Sequence, residues 1–209
     1  MKRFFLGIVF MLAAVVAMAQ YRPTFIVHAG YQGANIYNMF DNAYVGDMKP
    51  GIRLGATMDY TIYKLGFGEI SIQPGLYYST KGTKLSDAPT VNLRYLDLLV
   101  LANCRFGVSE YVDFFANVGP YVSYGFASNI SGIVAESKHD IGDDDRDSEN
   151  LFNPFDTGIQ VAIGTEYKRI QLTGGVQLGF ANIAKRRLGA DDIGLKANRS
   201  FFVMLGYRF

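Results

Sequence analysis

The sequence predicts an all-β protein, an eight-stranded antiparallel up-and-down transmembrane β-barrel that follows a cleaved signal peptide. Three observations predict this fold class. The chain opens with an apolar segment of signal-peptide length, apolar and polar residues then alternate in eight segments, and the links between these segments alternate between short and long. Together they favour a domain that is exported and then inserted into a membrane as a closed sheet.

The first 19 residues are typical of a secretory signal peptide. Two basic residues at positions 2 and 3 precede an apolar run over 4–16, and Ala17-Met18-Ala19 supplies the small-x-small cleavage site. The run is too short for the roughly 20 residues that span a bilayer as a helix, although a retained N-terminal anchor is the alternative. We therefore predict a signal peptide over residues 1–19 and one barrel domain over residues 20–209.

The composition of the chain favours β-structure and excludes several classes of function. It contains 14 Tyr, 16 Phe and 23 Gly but no Trp, and aromatic residues in alternating segments are typical of strands. The net charge of +1 falls to about −1 without the two basic residues of the signal peptide, so no nucleic-acid partner is indicated. Cys104 is the only cysteine, so an intramolecular disulfide is impossible.

Period-two alternation is clearest in the second segment. Its apolar residues Ile52, Leu54, Ala56, Met58, Tyr60 and Ile62 alternate with Arg53, Gly55, Thr57, Asp59 and Thr61. Because successive side chains of a strand point to opposite faces, such a segment has one apolar and one polar face. Eight segments of about ten residues are predicted in this way, near 25–36, 52–62, 69–79, 93–106, 113–124, 158–167, 170–180 and 199–209.

The links between the predicted strands alternate in length. Short links are expected near 63–66, 107–111 and 168–169, and long ones near 37–50, 80–92, 127–155 and 181–198. This order puts both termini at the short-turn end, as in outer-membrane barrels with short periplasmic turns and long external loops. A soluble sandwich or barrel, which is the alternative, has no reason to segregate loop lengths in this way.

The polarity of the two faces also separates a membrane barrel from a soluble one. A soluble barrel turns its apolar face inward. Here the apolar face has tyrosines near strand ends, where they would form interfacial girdles, and the other face is rich in glycine, which suits a crowded lumen. The girdle tyrosines are expected to be Tyr31, Tyr60, Tyr78, Tyr124, Tyr167 and Tyr207.

The C-terminal segment resembles the closing strand of outer-membrane barrels. It runs from Phe201 to an aromatic C-terminal residue, Phe209. The resemblance implies that the barrel-assembly machinery reads this strand during insertion. The residues of this assembly signal are Phe201, Val203, Leu205, Tyr207 and Phe209.

Further pieces of the chain resemble the PorT-type outer membrane protein beta-barrel domain family of Bacteroidota. They are the Ala-Gln pair at the cleavage site, residues 73–82, residues 93–97, Arg105-Phe106-Gly107 and residues 206–209. The resemblance covers the mature chain and implies the architecture and an outer-membrane location rather than a chemistry. Since the founding member is linked to type IX secretion, it also implies an accessory role in an envelope secretion system as an alternative function.

Six charged residues fall on the predicted inward face, close to the short turns. They are Asp59, Glu69, Arg105, Asp113, Glu166 and Arg208. An unpaired charge in such confinement costs several kcal/mol, so we expect a paired charge network that plugs the lumen, with a proton or ion path as the alternative. His28, Arg53 and Asp97 are expected further along the lumen. An open channel is disfavoured, because eight strands leave space for little besides side chains.

Two charged segments lie in the predicted long loops. Asp143, Asp145 and Asp147 are a weak calcium candidate, because Ser148 stands where an EF-hand loop requires glycine and Pro154 where it requires the closing glutamate. A solvated external loop is the preferred interpretation. The basic residues 185–187 are either a contact for lipopolysaccharide phosphates or a solvated loop.

No catalytic residue, cofactor or metal site is otherwise predicted. Neither His28 nor His139 belongs to a nucleophile motif, and Cys104 falls on the lipid face. The sequence therefore predicts a non-enzymatic outer-membrane barrel with a structural or surface-interaction role through its external loops. A small-solute channel is a third function class. Outer-membrane lipid and the assembly machinery are the expected partners.

Overall fold

A computed structural model describes residues 23–38, 43–44, 47–84, 90–131, 154–181 and 196–209. These residues form β-strands and three short turns, and none of them belongs to a helix long and apolar enough to cross a membrane. The strands are β1 (Thr24–Asn38), β2 (Ala43–Tyr44), β3 (Asp47–Leu65), β4 (Gly68–Lys84), β5 (Thr90–Gly107), β6 (Val112–Ser131), β7 (Phe155–Tyr167), β8 (Ile170–Gly179) and β9 (Lys196–Arg208).

Eight long antiparallel strands close into a barrel. Each long strand pairs with the next long strand along the chain, from β1 with β3 to β8 with β9. The last strand, β9, also pairs with β1, from Ile26–Arg208 to Asn38–Lys196. The two-residue β2 pairs only with the loop end of β1. Closure gives every long strand two partners, so the predicted eight-stranded up-and-down barrel is confirmed.

The two faces of the sheet have the predicted polarity. On β3, Arg53 and Thr57 are buried inside the barrel, whereas Ile52, Leu54 and Met58 are exposed on its outer surface. The other long strands alternate in the same sense. The barrel therefore has a polar interior and an apolar exterior, which is the reverse of a soluble barrel.

Most strands are longer than the predicted ten residues. β4 continues to Lys84 and β5 begins at Thr90, so much of the expected 80–92 loop is strand, and β6 continues to Ser131. Parts of the expected 37–50 loop also belong to β1, β2 and β3. The prediction was wrong here because hydrogen bonding between strands continues beyond the hydrocarbon, where the outward residues no longer need to be apolar.

The three short links are tight turns close to their predicted positions. They lie at Gly66-Phe67, at residues 108–111 and at Lys168-Arg169. Lys168 has a φ of 57°, the left-handed conformation that a two-residue hairpin turn uses. Tyr60, one of the expected girdle tyrosines, is only 5% exposed, but its hydroxyl donates to Sδ of the outward-facing Met58 at 3.5 Å.

Large aromatic side chains also point into the barrel, which the sequence had not led us to expect. Each of them lies directly across a strand pair from a glycine. A Cβ atom on Gly158, for example, would lie 2.8 Å from Cε1 of Tyr121. The glycines thus give the rings their space. The pairs are Tyr77–Gly55, Tyr95–Gly125, Phe115–Gly164, Tyr121–Gly158 and Phe202–Gly175.

Candidate functional site

The turn end of the lumen contains a charged cluster, which we call the turn-side cluster. Arg105 is at its centre, with Nη1 2.6 Å from Glu166 Oε2 and Nε 3.3 Å from Glu69 Oε1. Its Nη2 lies 3.4 Å from Asp59 Oδ2, and Nη1 lies 3.7 Å from Asp113 Oδ2. The cluster consists of the six residues that the sequence singled out, namely Asp59, Glu69, Arg105, Asp113, Glu166 and Arg208.

Arg208 completes the turn-side cluster from the last strand. Its Nη2 lies 3.7 Å from Asp59 Oδ2 and 3.6 Å from Glu69 Oε1, and its Nη1 lies 3.5 Å from Glu166 Oε1. The two guanidinium groups therefore share three carboxylates. The side chain of Asp113 is 33% exposed and that of Asp59 is fully buried, so the cluster reaches from the opening into the lumen.

Strand register explains why these charges meet. Glu69 and Arg105 are direct partners across β4 and β5, and Asp113 and Glu166 are direct partners across β6 and β7. Directly opposed side chains of an antiparallel pair have Cβ atoms about 5 Å apart, which favours opposite charges in the first pair. The like charges of the second pair are tolerated because Arg105 binds both of them.

A second set of charges lies deeper in the lumen and forms what we call the deep cluster, made of Arg53, Lys81, Asp97 and Asp156. Asp97 lies 3.5 Å from Arg53 Nη1 and 3.3 Å from Lys81 Nζ, and Lys81 Nζ lies 3.8 Å from Asp156 Oδ2. All four side chains are at most 1% exposed. Two cations and two carboxylates give the cluster a balanced charge, as burial at this depth requires.

The side chains around the deep cluster satisfy its carboxylates. Ser79 and Ser123 donate hydrogen bonds to Asp97, at 2.9 Å and 2.5 Å. Asn198 donates to Asp156 at 3.0 Å. These neutral donors stabilise the charged forms in a place that bulk water does not reach.

Each cation of the deep cluster lies between two aromatic rings. Arg53 Cζ is 4.6 Å from the centroid of Tyr77 and 4.7 Å from that of Phe202. Lys81 Nζ is 5.0 Å from the centroid of Tyr95 and 4.9 Å from that of Tyr121. Such distances are those of cation–π contacts, which are stronger when desolvated. The inward aromatic residues therefore both fill the lumen and hold its buried cations.

Sequence reasoning missed two members of the deep cluster. Lys81 had been assigned to a long loop, and Asp156 lay just before the predicted sixth strand. Both could have been found by extending the apolar–polar alternation of the predicted strands by two residues. Lys81 follows the inward Ser79, and Asp156 precedes the inward Gly158, each at the same parity.

His28 lies in the lumen and connects to the turn-side cluster. Its Nδ1 is 2.9 Å from the Tyr77 hydroxyl, and its Nε2 is 3.2 Å from Gln171 Oε1. Gln171 in turn donates to Glu166 at 2.7 Å. The pattern fits the tautomer in which Nε2–H donates to the amide and Nδ1 accepts from Tyr77.

A small chamber adjoins His28 and Tyr77. It is lined in part by Thr57, Asn117 and Thr173, which each have a buried oxygen without a hydrogen-bond partner. The chamber has room for about one water molecule, which is what such polar atoms require.

The sequence of the chain matches a family model over residues 18–185, and the description of that model is "Outer membrane protein beta-barrel domain". The match covers most of the chain and includes β1 to β8, and it ends before the closing strand β9. The chain belongs to this family. It is an outer-membrane protein, and the turn end of its barrel is the periplasmic end, since such barrels have short turns there. No curated protein is similar enough in sequence to count as a match.

The solved structures to which the chain is similar include several small outer-membrane barrels. The outer-membrane enzyme PagL superposes with a TM-score of 0.54 at 11% identity, covering 87% of this chain and 98% of PagL. Neisserial surface protein A gives 0.49 at 12% identity, covering 88% and 97%. Ail, the attachment invasion locus protein of Yersinia pestis, gives 0.44 at 13% identity, covering 90% and 99%. At these identities the likeness to PagL shows the fold alone.

The closing strand of this outer-membrane protein places the residues of the predicted assembly signal on the lipid-facing side. Val203, Leu205, Tyr207 and Phe209 are exposed, and Phe201 is partly covered. The backbone N–H of Phe209 donates to the carbonyl of Phe25 at 2.9 Å, so the C-terminal residue itself closes the barrel. Its reading by the assembly machinery stays a prediction.

Several predicted features lie outside the described residues. They are the signal peptide over 1–19, His139, the calcium candidates Asp143, Asp145 and Asp147, and the basic residues 185–187. Within the described residues, no group of three or more His, Cys, Asp or Glu is arranged to hold a metal ion. Cys104 is partly covered and is a free thiol.

Proposed function

We propose that this outer-membrane protein is a closed, non-conducting barrel that supports its external loops for a structural or surface-interaction role. The observation that carries the proposal is the packing of Arg53 and Lys81, each held between two aromatic rings inside the lumen. An ion that crossed the barrel would have to displace these buried cations from their rings and from Asp97. The turn-side cluster is a second barrier at the periplasmic end.

Conductance tests the closed lumen. The refolded barrel in planar bilayers is expected to give no steady current, and proteoliposomes are expected not to swell in small sugars. Insertion is verified by the heat-modifiable electrophoretic migration of protein recovered from the same vesicles. A steady, large conductance of the wild-type barrel contradicts a plugged lumen and favours a small-solute channel.

The connection between β6 and β7 allows a test of the external loops. β6 ends at Ser131 and β7 begins at Phe155, so the segment between them can be replaced without shortening a strand. We expect a variant with residues 132–153 replaced by a short Gly-Ser linker to fold and to lose envelope partners. The control exchanges the periplasmic turn residues Lys168 and Arg169 for Asn and Gly.

Crosslinking in native outer membranes, followed by mass spectrometry, identifies such partners. A partner counts only if it recovers this barrel reciprocally through a tag of its own. Loss of the partner with the linker variant, and its retention with the turn variant, supports the surface-interaction role. Equal recovery by both variants contradicts a role for this external loop.

We infer that the barrel acts without catalysis. His28 is buried, and both of its ring nitrogens are engaged with Tyr77 and Gln171 rather than with a nucleophile. The fold itself permits catalysis, since PagL is an outer-membrane enzyme with the same fold. Release of acyl chains from outer-membrane lipids by the purified barrel, absent from a His28→Gln variant, contradicts this inference.

An accessory role in an envelope secretion system is the second candidate. It is supported only by the PorT-type resemblance of segments such as residues 73–82 and 206–209. Its test is deletion of the gene from the native bacterium. Unchanged secretion by the deletion strain contradicts this role, and a secretion defect that the full-length gene restores supports it.

A further inference from the structure

The outward face of β5 ends in an arginine at the external side of the membrane. Leu96 and Leu98 are exposed on this face, and the next outward residue along the strand is Arg94, which is also exposed. Its backbone partners are Thr80 on β4 and Ala127 on β6. The guanidinium group therefore lies on the lipid side of the barrel rather than in the lumen.

The depth of Arg94 follows from the length of the apolar stripe below it. From Phe106 to Leu96 the strand runs about 33 Å at about 3.3 Å per residue. A strand tilt of about 40° reduces this to about 25 Å along the membrane normal, which is the height of the apolar band of an outer-membrane barrel. Arg94 thus lies just beyond the hydrocarbon, at the level of the external headgroups.

Aromatic side chains on both neighbouring strands mark the same boundary. Leu96 is paired with Tyr78 on β4 and Tyr124 on β6. The ring of Tyr78 lies 6.1 Å from that of Phe126, and the ring of Tyr124 lies 5.3 Å from that of Phe155. Clustered aromatic rings at this depth are the interfacial belt. Arg94 is therefore the first outward-facing residue of β5 above this belt.

Arg94 has no counter-ion in the described part of the protein. The inward-facing arginines Arg53, Arg105 and Arg208 all pair with carboxylates. No carboxylate of the described ranges lies within ion-pair distance of Arg94, and its guanidinium makes no other interaction with these residues. A cation at the membrane surface with no protein partner is attracted to anionic headgroups.

We propose that Arg94 binds a phosphate group of lipid A in the external leaflet. A guanidinium binds phosphate oxygens through two parallel hydrogen bonds, a geometry that an ammonium group cannot provide. The aromatic belt below Arg94 supplies a surface for the acyl chains of the same lipid. The site recognises the charged headgroup independently of what the external loops bind.

Native mass spectrometry of the refolded, full mature barrel tests this site. The barrel is released from nanodiscs that contain either bisphosphorylated lipid A or the same lipid with its phosphates removed. We expect the Arg94→Ala variant to retain about fivefold less bisphosphorylated lipid A than the wild type, the contribution of one basic side chain near an anionic membrane surface. The two proteins are expected to retain equal amounts of the dephosphorylated lipid.

The matched control is Arg169→Ala, which removes an exposed arginine from a periplasmic turn. It is expected to behave as the wild type, and the heat-modifiable migration of all three proteins verifies that they are folded. Inorganic phosphate at millimolar concentration is expected not to release the lipid. Equal retention by Arg94→Ala and the wild type overturns the proposal, as do equal losses in both variants or release of the lipid by free phosphate.

Discussion

Gly206 lies directly across a strand pair from His28, and a Cβ atom added to this glycine would lie 2.7 Å from Cδ2 of the histidine ring. The glycine is therefore the space into which the ring fits, and the ring in turn reaches both Tyr77 and Gln171. This relationship, a large inward side chain over a glycine of the adjacent strand, recurs around the barrel.

We expect Gly206→Ala to lower the stability of the barrel by about 1–3 kcal/mol, because overpacking forces the His28 ring off its partners. The free energy of unfolding in urea, followed by tryptic protection or by heat-modifiable migration, measures this loss. Adding His28→Ala to Gly206→Ala should recover part of the loss. The matched control is Gly66→Ala, since a Cβ atom there meets nothing within 4 Å. Equal stability of the Gly206 and Gly66 variants would contradict the packing argument.

Arg105 is expected to be the most costly member of the turn-side cluster to remove. Arg105→Met leaves Asp59, Glu69 and Glu166 with Arg208 as their only cation of the cluster. Removing one partner of a buried ion pair typically costs about 3–5 kcal/mol, because the other charge stays buried without a partner. We expect the free energy of unfolding to decrease by about this amount. Arg169→Met, in an exposed turn, should change it by less than about 0.5 kcal/mol. A comparable change in both variants would show that the cluster adds little to stability.

The deep cluster permits a double-mutant cycle. Lys81→Met removes the cation that Asp97 and Asp156 share, and Asp156→Asn removes one of its carboxylates. Each single change is expected to destabilise the barrel, whereas the double variant should be more stable than the sum predicts, with a coupling of about 1–3 kcal/mol. Purely additive losses would mean that Lys81 and Asp156 do not act as a pair.

The C-terminal Phe209 provides a test of the assembly signal in cells. We expect deletion of Phe209 to reduce the amount of folded barrel in outer-membrane fractions severalfold, while refolding of the purified protein in detergent changes little. Phe180→Ala is the matched control, because Phe180 is another lipid-facing phenylalanine at a strand end and is about half exposed. If both variants assemble equally well, the C-terminal residue is not a special signal.

The sequence by itself determined the fold class and the two faces of the sheet. Alternation has a period of two, so each residue of a strand is assigned to the lumen or to lipid by parity alone. The same rule put Arg105, Glu166 and their four companions inside the barrel, near the short turns. Because these six residues lie at similar distances from the short turns, they reach the same level of the lumen. This common level allows the ion pairs that the structure shows among them.

Only the tertiary structure decided which side chains meet across the lumen. Arg53 on β3 donates to Gln160 on β7 at 2.9 Å, and these strands are not neighbours. Such contacts depend on the stagger of the closed sheet, which accumulates over several strand pairs and leaves no trace in any one segment. The positions of Lys81 and Tyr121 were also decided by the structure. Lys81 points into the lumen because β4 continues beyond its predicted end, and Tyr121 does so because Gly158 on β7 leaves space for its ring.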